Sequence, residues 1–103
     1  MNNIQQKLFN ILSMASCANK IISGDFAINK IVDKKNIKLL LIAENTAEKT
    51  CQEYKKLNLK YNVPVKKIPL GKDELGRCAG KTERAALAVC DEGFAKTINK
   101  ILK

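Results

Sequence analysis

The run Gly76-Arg77-Cys78-Ala79-Gly80-Lys81-Thr82 joins two glycines to a Lys-Thr pair, the combination with which phosphate-binding loops close on a nucleotide. Such a loop needs four residues between its glycines, so that successive backbone N–H groups wrap the phosphates. It also feeds directly into a helix whose N-terminus completes the anion site. Here the glycines enclose three residues, and the next patterned segment, Ala85 to Cys90, reads as an apolar strand. No downstream apolar strand ends in a convincing magnesium-binding Asp. Spacing and context both disfavour a nucleotide hydrolase, and the purpose of the glycine-rich segment has to come from elsewhere.

The other reactive residue types point away from catalysis as well. The chain has no histidine, which removes His-based metal sites, Ser–His and Cys–His nucleophiles and the usual near-neutral acid/base group. Cys17, Cys51, Cys78 and Cys90 form no C-x-x-C pair, so neither a zinc site nor a disulfide framework is expected. Each lies in an apolar pattern and reads as a small buried hydrophobe, a reduced thiol suited to the cytosol. Glu44 ends an apolar run, but one carboxylate does not make an active site. No catalytic residue, metal, cofactor or small-molecule substrate is expected.

Charge is more informative. Nineteen Lys and Arg face ten Asp and Glu, a formal net charge of +9 in 103 residues, which favours a polyanionic partner and nucleic acid first. Aromatic residues are 5%, too few for a platform that stacks successive single-stranded bases, although a reader of RNA shape needs none. "LSMASC" ending at Cys17 has the outline of a lipoprotein cleavage site. Only Lys7 supplies positive charge ahead of it, and Asn10 and Ser13 interrupt the apolar stretch, so lipidation is not expected. The longest apolar run, Leu39 to Ala43, is a strand's worth and no membrane span.

The elements that must hold these residues follow from periodicity. Ile4, Leu8, Ile11, Leu12 and Ala15 recur at helical spacing and predict an amphipathic first helix facing the core. Lys20-Ile21-Ile22 reads as a short strand. Ser23-Gly24-Asp25 opens a second helix with Ala27, Ile28, Ile31 and Val32 inward, Asp25 at its positive end, and Lys34 and Lys35 near its negative end. Leu39 to Ala43 is continuously apolar, as in a central strand covered on both faces of a mostly parallel sheet. Asn45, with Glu48 three residues later, predicts the cap of a third helix through Cys51, Tyr54 and Leu57, whose Lys55, Lys56 and Lys60 make a solvated face. Val63 to Ile68 is a strand with Pro64 at an edge or a first position. A helical turn near Lys72, a last strand from Ala85 to Cys90, and a helix capped by Asp91 with Phe94, Ile98, Ile101 and Leu102 on one face complete the chain. Alternating helices and strands predict one α/β domain over residues 1–103, with helices on both sides of a four-stranded mixed, mostly parallel sheet.

Taken together, the segments carry a resemblance. Gly24 stands at a strand-to-helix turn, Lys30 lies six residues on, and Leu39 to Glu44 is an apolar strand ending in Ala and an acid. Leu75-Gly76-Arg77-Cys78-Ala79-Gly80 then precedes the last apolar strand. In this order and spacing, and over nearly the whole chain, the sequence resembles the ribosomal L7Ae and L30e family, most closely its small bacterial branch. The resemblance implies a three-layer α-β-α sandwich that binds kink-turns and related helix–internal loop–helix RNA, in ribosomal or regulatory RNA. It implies that the start of the second helix, Gly24, Asp25, Phe26, Ala27 and Lys30, enters the groove beside sheared G·A pairs. It further implies that Glu44, Asn45 and the segment Leu75, Gly76, Arg77, Cys78 and Ala79 complete the RNA surface, the last of these as a loop against a flipped-out nucleotide. Gly76 would allow close backbone approach to the RNA, and Lys30 and Arg77 would meet phosphates or base edges. Many kink-turn binders carry a polar pair, often Asn-Glu, where this chain has Phe26 and Ala27, which neither donate nor accept base-edge hydrogen bonds. Phe26 has two readings, an RNA wedge or a residue packed at the helix start.

The expectation is therefore a cytoplasmic, non-enzymatic RNA-binding protein, with the ribosome as a possible setting. The rival is a protein-interaction module on the same scaffold without specific RNA recognition, and Phe26 and Ala27 are its basis.

Overall fold

A computed structural model describes residues 2–31 and 36–103, apart from the side chains of Asp25, Phe26 and Ile31. The expectations for Val32, Lys34 and Lys35, and for the Ile31 side chain, lie outside the described residues. The order is α1 (Asn3–Cys17), β1 (Ile21–Ser23), α2 (Asp25–Ile31), β2 (Leu39–Ala43), α3 (Glu48–Tyr61), β3 (Val65–Ile68), α4 (Lys72–Cys78), β4 (Ala86–Val89) and α5 (Glu92–Leu102).

The strands lie in the order β1-β4-β2-β3. Alternation along β2 builds both halves of the interior, because successive strand side chains point to opposite faces. Leu39, Leu41 and Ala43 join Leu87 and Val89 of β4 beneath α1, α4 and α5, with Leu8, Leu12, Leu75 and Ile98 from the helices. Leu40 and Ile42 join Ala86 and Ala88 beneath α2 and α3, with Ile28, Cys51 and Tyr54. The three-layer α-β-α sandwich is thus present, and every residue of β2 is buried, as its unbroken apolar run predicts. Truncating one of its fully buried leucines, such as Leu41, should cost about 2–5 kcal/mol.

The sheet is mixed, but the expected parallel majority is wrong. β2 and β3 are parallel, whereas β1–β4 and β2–β4 are antiparallel. The reason lies in the connection to β4. A parallel return needs a crossover that carries the chain back across the sheet. Here the segment after α4 doubles back to the helix's own start, where the Arg84 N–H donates to the Lys72 carbonyl at 3.1 Å. The chain re-enters the sheet at the end it left and runs the other way. Coverage of both faces depends on the helices rather than on strand direction, which is why the apolar run was a poor guide to parallelism.

Local chemistry sets the helix ends. Asn2 caps α1 reciprocally with Gln5, each side chain accepting the other's backbone N–H at 2.9 Å. The Asp91 carboxylate accepts the Phe94 N–H at 2.9 Å, the predicted cap of α5. Asn45 does not cap α3: the N-cap of that helix is Ala47, with no side-chain cap, and the Asn45 side-chain Oδ1 accepts from another element. Two inward expectations also fail. Ile4, on the first turn of α1, is 46% exposed. Cys17, in the last turn of the same helix, is exposed, while Cys51 and Cys78 are buried and Cys90 is half-buried.

Candidate functional site

Strand direction decides which loops meet. β1, β2 and β3 all point the same way, since β1 and β2 each run antiparallel to β4 and β3 runs parallel to β2. Their C-terminal ends share one edge of the sheet, where β4 begins. The segments leaving that edge are Gly24 into α2, Glu44–Ala47 into α3, and Pro69–Gly71 into α4; the one arriving is Gly80–Ala85.

Hydrogen bonds join three of these segments. The Glu44 N–H donates to the Leu70 carbonyl at 2.9 Å, and the Ala43 N–H to the Ala85 carbonyl at 2.9 Å. The Thr46 hydroxyl donates to the same Ala85 oxygen at 3.3 Å. Asn45 Oδ1 accepts the Lys72 N–H at 2.9 Å, satisfying one of the free donors that open α4. The Gly71 N–H meanwhile donates to the Glu74 carboxylate at 3.0 Å. Gly24 turns the chain out of β1 with φ at +95°, a left-handed value that glycine accepts without strain, and Ile28 N–H returns to its carbonyl at 3.0 Å.

The glycine-rich segment is not a loop throughout. Leu75, Gly76, Arg77 and Cys78 form the second half of α4, Ala79 is its C-cap, and Gly80 reverses the chain at φ +67°. Leu75, Gly76 and Cys78 are buried, so their side chains serve the interior. Gly76 is needed for a close approach within the protein. A methyl group built there would overlap the Thr82 carbonyl oxygen and stand 2.6 Å from its carbonyl carbon. Burial pushes the Cys78 thiol pKa above its ordinary value, against smaller lowering effects of Ser13 and Arg77. Its S–H faces the Phe9 carbonyl at 3.7 Å.

Arg77 is the residue in the second half of α4 that stays exposed, its guanidinium 5.7 Å from the centre of the Phe9 ring on α1. It borders a shallow depression with Asp73, Lys81, Thr82 and Glu83. Lys30 is exposed in the last turn of α2, about 9 Å along the helix from Gly24 at the helical rise. Ala27 is half-buried; the side chains of Asp25 and Phe26, and with them the wedge reading, lie outside the described residues. Glu44 and Asn45 are exposed. The edge therefore assembles Gly24, Glu44, Asn45 and the outward side of α4, while Leu75, Gly76 and Cys78 belong to the core.

Two basic residues of this edge escaped the sequence reading. Lys72 opens α4 beside Asn45, and Arg84 precedes β4, its Nη1 donating to the Glu83 carbonyl at 2.8 Å and the Thr82 hydroxyl at 3.2 Å. Arg84 Nε is buried without a protein partner among the described residues. Their signal was positional: both flank the glycine-rich segment.

This is an α-β-α sandwich that gathers backbone turns and long basic side chains at one sheet edge. The chain belongs to the ribosomal protein L7Ae/L30e/S12e/Gadd45 family, whose model matches residues 6–99. It is similar to the RNA-binding protein YlxQ of Bacillus subtilis (strain 168), with 33% identity over 94 residues, covering 91% of this chain and 93% of the relative. The RNA-binding protein YlxQ of Enterococcus faecium is 25% identical over 99 residues, covering 96% and 94%. Among solved structures, a protein with unknown function from Bacillus halodurans C superposes with a TM-score of 0.83 at 24% identity, covering 91% of this chain and 94% of its own. The Giardia lamblia 15.5kD RNA binding protein does so with a TM-score of 0.74 at 16% identity, covering 99% and 87%. The two structural likenesses speak to fold alone. Among the described residues no helix is long and apolar enough to cross a membrane.

Proposed function

We propose that the chain is a non-enzymatic, cytoplasmic RNA-binding protein, one domain in extent, which recognises a kink-turn or related helix–internal loop–helix RNA at the sheet edge. The observation that carries this reading is the convergence of Gly24, Glu44–Asn45 and the outward side of α4 on that edge in a chain of net charge +9. Family membership and the names of the two sequence relatives support it. Lys30 and Arg77 supply exposed cations on two of the elements that leave the edge. Arg77 offers a planar fork to a phosphate or guanine, and Lys30 a point charge. Lys72 and Lys81 add positive charge around them. With Ala27 in place of a polar residue, discrimination falls to shape and phosphate placement more than to base-edge hydrogen bonds. Ribosomal RNA is one source of such motifs, and ribosome association is part of the proposal.

The test is a calorimetric titration against a standard kink-turn RNA and a straight duplex of equal charge. Tighter binding to the kinked RNA is expected, with Arg77→Ala and Lys30→Ala each weakening it by about 1–3 kcal/mol while circular dichroism stays unchanged. Equal affinity for the two RNAs would refute specific recognition. It would favour the second reading, a protein-interaction module, for which Ala27 at the start of α2 is the supporting observation.

A further inference from the structure

β3 and one flank of α3 carry lysines that the sheet edge described above does not use. β3 pairs with β2 alone, so its outer side is open, and Lys66 and Lys67 are exposed in mid-strand. Their register opposite Leu41 and Ile42 puts Lys66 on the α1/α4/α5 side of the sheet and Lys67 on the α2/α3 side. Two ammonium groups thus bracket one strand from both faces. The helix above splits its own lysines. Lys56 and Glu53 line a depression shared with Asn29 of α2, whereas Lys55, about 100° round the helix from Lys56, is exposed on the other flank of the face that buries Cys51 and Tyr54. The acid on that flank, Glu48, stands about 10 Å back toward the helix start. Among the described residues the one ion pair is Lys96–Glu92 on α5, so no described residue forms an ion pair with Lys55, Lys66 or Lys67. β3 also runs toward the candidate edge: from Lys66 to Leu70 is at most about 14 Å of chain, and Lys72 lies two residues beyond.

We propose that Lys55, Lys66 and Lys67 form a second, phosphate-contacting strip, along which the helical stem of an RNA held at the sheet edge lies. The inference rests on the RNA-binding reading above and extends its footprint. Charge without exposed aromatic groups suits a stem, whose duplex is met through its backbone and its shape. Lysines on an edge strand also discourage strand addition, a role that requires no RNA. The experiment separates the two.

Two variants of equal charge loss are compared with the wild type: Lys55→Gln/Lys66→Gln/Lys67→Gln on the strip, and Lys7→Gln/Lys96→Gln/Lys100→Gln on α1 and α5. Salt dependence of binding is measured by fluorescence anisotropy with a kink-turn RNA bearing a long stem, the same RNA with that stem cut back, and a straight duplex. On the long stem the strip variant should lose about 2–3 from the slope of log K against log salt, near 0.9 per phosphate contact given up. The control variant should lose less than 1, and all three proteins should bind the cut-back RNA with similar slopes. A strip variant that keeps the wild-type slope on the long stem, or loses as much on the cut-back RNA, overturns the strip. A wild type that does not prefer the kink overturns the kink-turn reading instead. In that event the strip stands only if its variant still loses slope on the straight duplex.

Discussion

Replacing Gly76 with alanine sets two effects against each other. In a helix interior alanine is favoured over glycine by roughly 0.5–1 kcal/mol, so a solvent-facing glycine in α4 would gain from the change. Gly76 faces main chain instead. The new methyl would overlap the Thr82 carbonyl oxygen, with the Thr82 carbonyl carbon at 2.6 Å and the Glu83 nitrogen at 3.1 Å. A flexible side chain could step aside, but this strip of backbone is held at both ends. The Lys81 N–H donates to the Gly76 carbonyl at 2.8 Å, and the Arg84 N–H to the Lys72 carbonyl at 3.1 Å. Overpacking of this kind costs about 1–3 kcal/mol, and a backbone partner places it toward the upper end. Allowing for the propensity gain, Gly76→Ala should lose about 2 kcal/mol, which at ~4–8 °C per kcal/mol lowers Tm by about 8–16 °C. Urea unfolding followed by circular dichroism reads the loss directly, with m unchanged if the native state keeps its compactness. Gly80→Ala separates sterics from conformation. Nothing lies within 4 Å of its added methyl, but φ is +67°, so it should lose about 1–2 kcal/mol and Gly80→Asn noticeably less. A Gly76→Ala protein as stable as the wild type would refute the close-approach account of α4.

The remaining expectations concern the edge and the thiols. Asn45→Ala removes the acceptor for the Lys72 N–H and should cost about 1 kcal/mol, with faster hydrogen exchange at the first turn of α4; unaltered exchange there would show the cap to be idle. Cys17 should be alkylated first in the native protein, ahead of Cys90, with Cys51 and Cys78 modified only on unfolding, as mass spectrometry of partly labelled protein can establish. Burial raises the thiol pKa of Cys78 and Cys90. Above the ordinary thiol value, near 8.5, the unfolded chain therefore loses protons before the native one does, so their stabilising contribution is complete below that pH and declines as pH rises. Denaturant midpoints between pH 8 and 10 should fall less in a Cys78→Ala/Cys90→Ala protein than in the wild type; equal declines would contradict this.

Much of the fold was legible because burial leaves a periodic trace. The unbroken run Leu39 to Ala43 announced a strand covered on both faces, and Leu8, Leu12 and Ala15 announced the inward side of α1. Strand direction left no such trace, since it depends on where a connection ends. Only the return of Arg84 to Lys72 reveals that β4 enters antiparallel. The candidate site was half legible for the same reason. Motif order picked out segments that meet at one sheet edge, but Leu75, Gly76 and Cys78 look like loop residues in sequence and turn inward in space. Arg84 and Lys72 carry no motif and gain their place from topology.

Asn45 sharpens what the edge is for. The spacing Asn45 to Glu48 suggested a cap for α3, yet α3 begins at Glu48 after an N-cap, Ala47, that makes no side-chain bond, and the Asn45 side chain holds the start of α4. With the bonds from Glu44 to Leu70 and from Ala43 and Thr46 to Ala85, this ties the turns after β2 and β3 and the entry to β4 into one unit before any partner arrives. A partner then has only long side chains such as Arg77 and Lys30 to order, at about 0.5–1.5 kcal/mol each, in place of several loops. That ordering of costs makes a distinction open to test. If the edge is pre-organised, Asn45→Ala should weaken RNA binding through a slower on-rate and a looser α4, and should be rescued by Asn45→Asp, which keeps the acceptor. Arg77→Ala should act on the off-rate and gain nothing from lysine, whose single ammonium lacks the planar fork.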